Sequence, residues 1–416
     1  MLNLSIHCPF CFENIRPADI WFSCHNSKCR ENMNINGDRL DDYGRRIDES
    51  GKLLTETNGK EKPRKKNILE KTGLFAPPRR MKCRCGHTAT KRRCPNPRCA
   101  AVLPISIGRL PNLHIAIIGA KGTGKSNYIA MLIMRIQQMY RDFGWTLQYL
   151  DDRTNIRYKN DFMGPIKNRV PVPTSQSASV NPETSKPLLY SLNFTNGIFK
   201  KRIMLAFFDT AGEDLNKDVD SMRVVNKYIS LASGIICLLD PMQIEKVRAS
   251  LEPRLGKNAL PEQGKDTSII INQVGRMIQE EYVALNKSGA DAKAIKIPLA
   301  VAFSKIDAVS DEGNPDPTLL PSDCQIFRDT RHKGIFNRAE FNTVNGLMKG
   351  WLDEVDPEHE IPNQSKMFKD VAYFGFSALG CNPMSTNGRL PHDPLPKRVE
   401  DPFLWILHKN GLIKMQ

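Results

Sequence analysis

The run Leu113–Ala120, LHIAIIGA, is apolar, rich in β-branched residues and ends at a glycine. Such a run predicts a buried parallel strand. The segment NYIAMLIMRIQQMYRDF follows closely, with apolar residues at helical spacing. Between them, Gly119-Ala120-Lys121-Gly122-Thr123-Gly124-Lys125-Ser126 fits G-x-x-x-x-G-K-[ST]. Only glycines let the backbone turn tightly enough for its N–H groups to wrap a phosphate. The following helix points its positive N-terminus at that anion. Lys125 is expected to reach the terminal phosphates and to act in catalysis, and Ser126 to ligate Mg²⁺. Gly119, Lys121, Gly122, Thr123, Gly124 and Asn127 complete the expected cradle. A glycine turn that binds nothing is the plainer alternative; the strand before it and the helix after it argue against that.

The rest of the chain from Pro104 alternates strands and helices. LLYSLNF and RIMLAFFD predict an antiparallel pair joined at Asn196–Gly197. Further strands are expected at Gly234–Asp240, Ile297–Lys305 and Val371–Ser377, and helices near 266–286, 339–355 and 400–409. Residues 151–187 are rich in Pro, Ser, Thr and Asn and predict a long loop with a short helix near its start. The stretches 245–265 and 308–335 are expected to be insertions. The pattern implies an α/β fold with a mostly parallel sheet.

Further motifs sit at the predicted strand ends. Asp209-Thr210-Ala211-Gly212 follows RIMLAFF; its acid is placed to hold Mg²⁺ through water, and the Gly212 N–H to meet a γ-phosphate. Ser304-Lys305-Ile306-Asp307 and Ser377-Ala378-Leu379 close the last two strands. These motifs, in this order, resemble the TRAFAC class of P-loop GTPases, the Ras- and Era-like group, over roughly residues 110–410. The resemblance implies a three-layer P-loop GTPase fold that binds GTP and GDP. It implies that Asp307 accepts hydrogen bonds from the guanine edge, that the Lys305 stem packs on the base, and that Ser377-Ala378 offers backbone N–H to the guanine O6. Ser304 stands where the group usually carries Asn or Thr. An ATPase is the alternative, against which Asp307 argues.

Two further positions depart from that group. Glu213 follows Gly212 where Ras-like members carry a water-orienting Gln. A Glu can act as a base, but its charge would face the γ-phosphate, and repulsion predicts slow intrinsic hydrolysis without a partner. The switch threonine that ligates Mg²⁺ is expected before Leu188. Thr174 and Thr184 both qualify, and Thr174 is preferred.

Eight of the 11 cysteines lie before residue 100. Cys8-Pro-Phe-Cys11 and Cys24-x₄-Cys29 form a first group; Cys83-x-Cys85 and Cys94-x₄-Cys99 form a second. Paired thiolates at such spacings suit tetrahedral Zn²⁺, predicting two structural Cys₄ sites. One group per site is the simplest arrangement; interleaving is the other. His7, His25 and His87 are spare candidates, expected to be bystanders. Cys237, within an apolar strand, is expected to be core. The expected organisation is a zinc-ribbon region over 1–104, with a basic and mobile insertion over 31–80, followed by the nucleotide domain over 105–416.

The formal net charge is +15. Fourteen Lys and Arg against Glu61 and Glu70 lie between Lys60 and Arg98, which contribute most of it. Such a block points either to acidic partners, nucleic acid among them, or to a solvated linker. Aromatics are scarce there, so base stacking has little support. No apolar run is long enough to cross a membrane, and no secretory start is evident, so the cytoplasm is the default location and no membrane partner is expected. The layout of zinc ribbons before an enlarged GTPase is similar to the bacterial double-GTPase family. That resemblance implies a conflict or defence setting and a second GTPase or an effector as partner.

Overall fold

The structure, a computed structural model, describes residues 6–15, 19–24, 26, 29, 32–33, 39–41, 47, 80–83, 85–174, 186–196, 199–208, 226–256, 260–264, 267–284, 294–330, 332–384 and 387–416. It divides into two compact units, 1–112 with 202–204, and 113–201 with 205–416.

The first unit is built from short strands: β1 (Ile6–His7), β2 (Asn14–Ile15), β3 (Trp21–Ser23), β4 (Asn32–Met33), β5 (Arg39–Leu40), β6 (Met81–Lys82), β7 (Thr88–Ala89), β8 (Lys91–Arg93) and β9 (Val102–Leu103). β1 pairs with β2 and β6 with β7, while the others form a five-stranded sheet in the order β5-β4-β3-β8-β9. The pairing of β3 with β8 sets Trp21, Phe22 and Ser23 opposite Arg93, Arg92 and Lys91. It thereby ties the two cysteine groups together. A pair such as β1–β2 buries too little apolar surface to stand alone; the unit's apolar core includes Phe12, Ile20, Trp21, Phe22 and Leu103.

The second unit carries a seven-stranded sheet ordered β11-β12-β13-β10-β14-β15-β16. Its strands are β10 (Asn112–Gly119), β11 (Thr146–Tyr149), β12 (Leu188–Asn196), β13 (Phe199–Phe207), β14 (Gly234–Leu239), β15 (Leu299–Phe303) and β16 (Val371–Gly375). β10, β14, β15 and β16 run parallel, with Ile117 beside Ile236, Cys237 beside Val301 and Val301 beside Tyr373. Every residue of β14 and β15 is buried, which is why these strands read as unbroken apolar runs. Cys237 is fully buried, and burial pushes its thiol up to about 12, as expected of core. Two residues separate β12 from β13, and so short a link returns antiparallel.

The helices are α1 (Lys125–Gln138), α2 (Tyr140–Phe143), α3 (Asp152–Arg157), α4 (Gly164–Lys167), α5 (Glu245–Leu255), α6 (Thr267–Ala284), α7 (Arg338–Val355), α8 (Glu360–Ser365) and α9 (Asp401–Lys409). α9 packs on β14 and β15, and α7 on β16. β16 is an edge strand, and the Asn345 side chain of α7 accepts the Tyr373 N–H at 2.9 Å, covering part of that edge. α7 is N-capped: Asn337 Oδ1 accepts the Glu340 N–H at 2.9 Å, while the Asn337 N–H itself donates to His332 Nδ1. The mostly parallel α/β fold of a P-loop GTPase is thus present. No helix among the described residues is long and apolar enough to cross a membrane.

Three elements differ from expectation. Strand β11 was not predicted; only four residues long and half-exposed, it carries no apolar run. The expected loop over 151–187 is helical from Asp152 to Lys167, with a π-helical stretch at Tyr158–Met163 between α3 and α4. Asp151 caps it by accepting the Thr154 N–H at 2.5 Å. Pro165 lies where the π-helical stretch passes into α4, so its missing N–H falls at a change of hydrogen-bond register. The stretch 245–265 contains α5, which tolerates Pro253 near its end and buries only Val247 and Leu251.

Candidate functional site

The carboxyl ends of β10, β14, β15 and β16 lie side by side, and β10 lies between β13 and β14, the chain building the sheet first to one side of it and then to the other. Parallel sheets bind ligands at such a switch point. The loop from Gly119 to Gly124 leaves β10 there. A Cβ at Gly119 would meet the Leu238 carbonyl oxygen at 2.6 Å and Thr123 Oγ1 at 2.8 Å, so no side chain fits. Gly122 and Gly124 have φ of 83° and 81°, in the left-handed region. Thr123 is buried and its hydroxyl donates to the Ala120 carbonyl at 2.9 Å, bracing the loop. Lys125 Nζ donates to the carbonyls of Gly119 at 2.8 Å and Ala120 at 2.9 Å. The ammonium is therefore folded back over the loop, beside the first turn of a 14-residue helix. A cation and a helix N-terminus thus sit beside a glycine-rich loop, an arrangement suited to phosphate. Ser126 is buried in that first turn, and Lys121 and Gly122 are exposed at the loop's outer edge.

Asn127 links this loop to a second segment. Its Oδ1 accepts the Val172 N–H at 2.9 Å. Thr174, two residues further on, is exposed. Asp209, Gly212, Glu213 and Thr184 lie outside the described residues, as does His25.

The base-side motifs are drawn together. Ser304 is buried, and its hydroxyl donates to the Leu239 carbonyl at 3.2 Å. Lys305 has φ of 53° and starts a short 3₁₀ turn containing Asp307. Its ammonium meets Asp240 Oδ2 at 2.5 Å. Asp240-Pro241, at the end of β14, adds to the double-GTPase resemblance but implies no role for the acid; the register of β14 against β15 brings its carboxylate to Lys305. The Ile306 N–H donates to the Phe376 carbonyl at 3.2 Å, joining the two motifs. Ser377 is clamped by reciprocal backbone bonds with Lys397 at 3.0 and 2.8 Å. The Ser377 hydroxyl accepts the Gly380 N–H at 2.9 Å, which shapes the turn around Ala378. Cys381 follows; its thiol is raised by burial and then by the Asp307 charge, setting it near that carboxylate.

In the first unit the cysteines gather as two fours: Cys8, Cys11, Cys94 and Cys99, and Cys24, Cys29, Cys83 and Cys85. This corrects the arrangement of one sequence group per site. The pairs interleave, first with fourth and second with third, because β3 pairs with β8 and folds one group onto the other. Sulfur separations are 3.9 Å for Cys8–Cys99, 3.7 Å for Cys11–Cys94, 3.5 Å for Cys24–Cys85 and 3.6 Å for Cys29–Cys83. Tetrahedral zinc with bonds of about 2.3 Å needs sulfurs about 3.8 Å apart, so the donor sets fit that ion. Burial raises the Cys8 thiol, whereas hydrogen bonding from Cys8 and then Cys94 lowers Cys11. Four such thiols ionise together only around a cation. His87 Nδ1 approaches Cys85 Sγ at 3.5 Å, and His7 is bonded to the Phe12 carbonyl; neither belongs to a cluster of four.

A protein of Mycolicibacterium smegmatis named "Putative ESX-1 scaffolding and assembly protein SaeC" is 26% identical over 335 residues, covering 76% of this chain and 80% of that protein. Solved structures similar to the chain include the translation elongation factor SelB from Methanococcus maripaludis with a GTP analogue, at 12% identity and a TM-score of 0.24. They also include GDP-bound aIF5B from Aeropyrum pernix, at 14% identity and a TM-score of 0.26. The matches cover 74% and 73% of this chain but only 35% and 36% of those proteins, about a third of their length. The family model described as Double-GTPase 2 matches residues 113–359, more than half of the chain and the whole stretch from the phosphate loop through Asp307. That match supports GTP binding, and the chain belongs to the Double-GTPase 2 family.

Proposed function

We propose that this protein binds GTP with Mg²⁺ and hydrolyses it slowly as a molecular switch, with its 1–104 region docking a partner and its 105–416 region carrying the nucleotide. The observation that carries this reading is the placement of Lys125 and the Lys305–Asp240 pair at the carboxyl ends of β10, β15 and β14. In this reading Lys125 neutralises the terminal phosphates, and Ser126 with Asp209 holds Mg²⁺, which supplies charge neutralisation on the phosphates when bound. Thr174 is the switch threonine, supported by the tether from Val172 to Asn127, its neighbour in the cradle. Glu213 acts near the attacking water, Gly212 reports the γ-phosphate, and Asp307 reads the guanine edge with Ser377 and Ala378 completing the base pocket. The sulfur spacings support two structural zinc ions, one in each cysteine cluster.

Single-turnover release of phosphate from GTP tests the enzymatic part. Slow release by the wild type and none by Lys125→Ala is expected; equal release by both would overturn it.

The name of the M. smegmatis relative favours a protein partner over nucleic acid, since it speaks of scaffolding and assembly. We read the zinc-ribbon region accordingly as a docking module whose engagement follows the nucleotide state, in an assembly or defence setting and with a second GTPase or an effector as the bound protein. Titration with labelled DNA and RNA across a salt series distinguishes the readings. Protein docking predicts no salt-dependent complex, whereas a steep fall in affinity with salt would assign the basic block to phosphates.

A further inference from the structure

We propose that Asp240 is a positioning residue of the nucleotide site, whose buried carboxylate fixes the Lys305 side chain and supplies the anchoring that Ser304 is too short to give. The proposal rests on the guanine-nucleotide reading above. Besides the backbone bond from the Ser304 N–H to the Leu239 carbonyl at 2.9 Å, two side-chain bonds hold the 304–307 motif to the end of β14. One is the neutral bond from Ser304 Oγ to the Leu239 carbonyl, at 3.2 Å. The other is the ion pair from Lys305 Nζ to Asp240 Oδ2, at 2.5 Å. Charge-assisted bonds are shorter and roughly twice as strong as neutral ones, so the second dominates.

The carboxylate is itself immobile. Its Oδ1 accepts the Met242 N–H at 3.0 Å, capping the 3₁₀ turn at Pro241–Gln243. The Asp240 side chain is 3% exposed against 32% for Lys305. The acid thus sits beneath the lysine rather than beside it in solvent. A buried carboxylate needs a cation, so the pairing holds the lysine stem at one place as the backbone turns sharply through Lys305. A stem held this way is ready to lie along a purine ring, with its ordering cost already met before ligand arrives.

Five proteins decide it: wild type, Asp240→Asn, Ser304→Ala, Lys305→Ala and the Asp240→Asn/Lys305→Ala double variant. Asparagine keeps the acceptor for Met242 and removes only the charge. Affinities for GDP, GTP and ITP are measured, ITP lacking the exocyclic amine that Asp307 reads. Asp240→Asn is expected to weaken all three by the same factor, about tenfold or more, because displacing a positioning group by an ångström costs that order. Ser304→Ala is expected to lose less than about threefold, in keeping with one neutral hydrogen bond. In the Lys305→Ala background Asp240→Asn adds nothing. Wild-type affinity in Asp240→Asn, or the same loss with and without Lys305, would make Asp240 a turn cap only and overturn the proposal. A wild type with no preference for GTP over ATP would instead sink the guanine reading itself. A second measurement needs no variant: amine acylation of the nucleotide-free wild type, mapped by mass spectrometry. Lys305 is expected to be acylated much more slowly than the exposed Lys121, and equal rates would refute the pairing.

Discussion

At the residue scale, Arg398 shows how much this fold stakes on a few buried charges. Its guanidinium meets Glu340 at 2.8 Å and Asp401 at 3.1 Å, with all three side chains at most 4% exposed. It also donates to the carbonyls of Ile326 and Gln325. Arg398→Ala strands two buried carboxylates and is expected to destabilise the protein by about 3–5 kcal/mol, read as a large drop in the midpoint of denaturant unfolding. Unfolding at the wild-type midpoint would show that water already reaches the pair. Gly119→Ala is a different case, because its added Cβ collides with the fixed Leu238 carbonyl oxygen as well as with Thr123 Oγ1. Nucleotide affinity is expected to collapse while the unfolding midpoint moves little; unchanged GTP binding would mean the loop can shift. Gly119 was legible in the sequence through its motif. Arg398 was not, since an arginine in PLPKRVEDP carries no sign of burial; only the packing of α7 against the start of α9 reveals it.

At the element scale, the strands that read most clearly were those buried on both faces. β10, β14 and β15 have no solvent side to interrupt their apolar runs. β11 escaped notice because an edge strand of four half-exposed residues has no such run, and α3 because its helix is capped and continued by polar residues. The cysteines make the sharper lesson. Their spacing singled out the eight cysteines that cluster, but which pairs come together depends on β3 pairing with β8, a contact between segments about seventy residues apart. This yields a counting experiment. Cys29→Ser and Cys83→Ser are each expected to lower bound zinc from two ions per chain to one, and the double variant to keep one, because both residues serve one cluster. A double variant holding no zinc would restore one sequence group per site. Acid is expected to release the zinc as the thiolates take up protons.

At the scale of the whole molecule, the two units have different sources of stability. The second has a wide parallel sheet covered by helices such as α7 and α9. The first is a set of short strands around two cysteine clusters, so chelation is expected to unfold it while the nucleotide unit keeps its own transition. The family match covers residues 113–359 of the second unit and does not reach the cysteine clusters. The central claim is that the second unit selects guanine nucleotides, and Asp307 is the residue on which that selection turns. The most direct test titrates the purified protein with GTP, ATP and their diphosphates in Mg²⁺, beside Asp307→Asn. The account predicts tight guanine binding, weak adenine binding, and loss of that preference in the variant. Equal binding of ATP and GTP by the wild type, or an unchanged preference in Asp307→Asn, would contradict it.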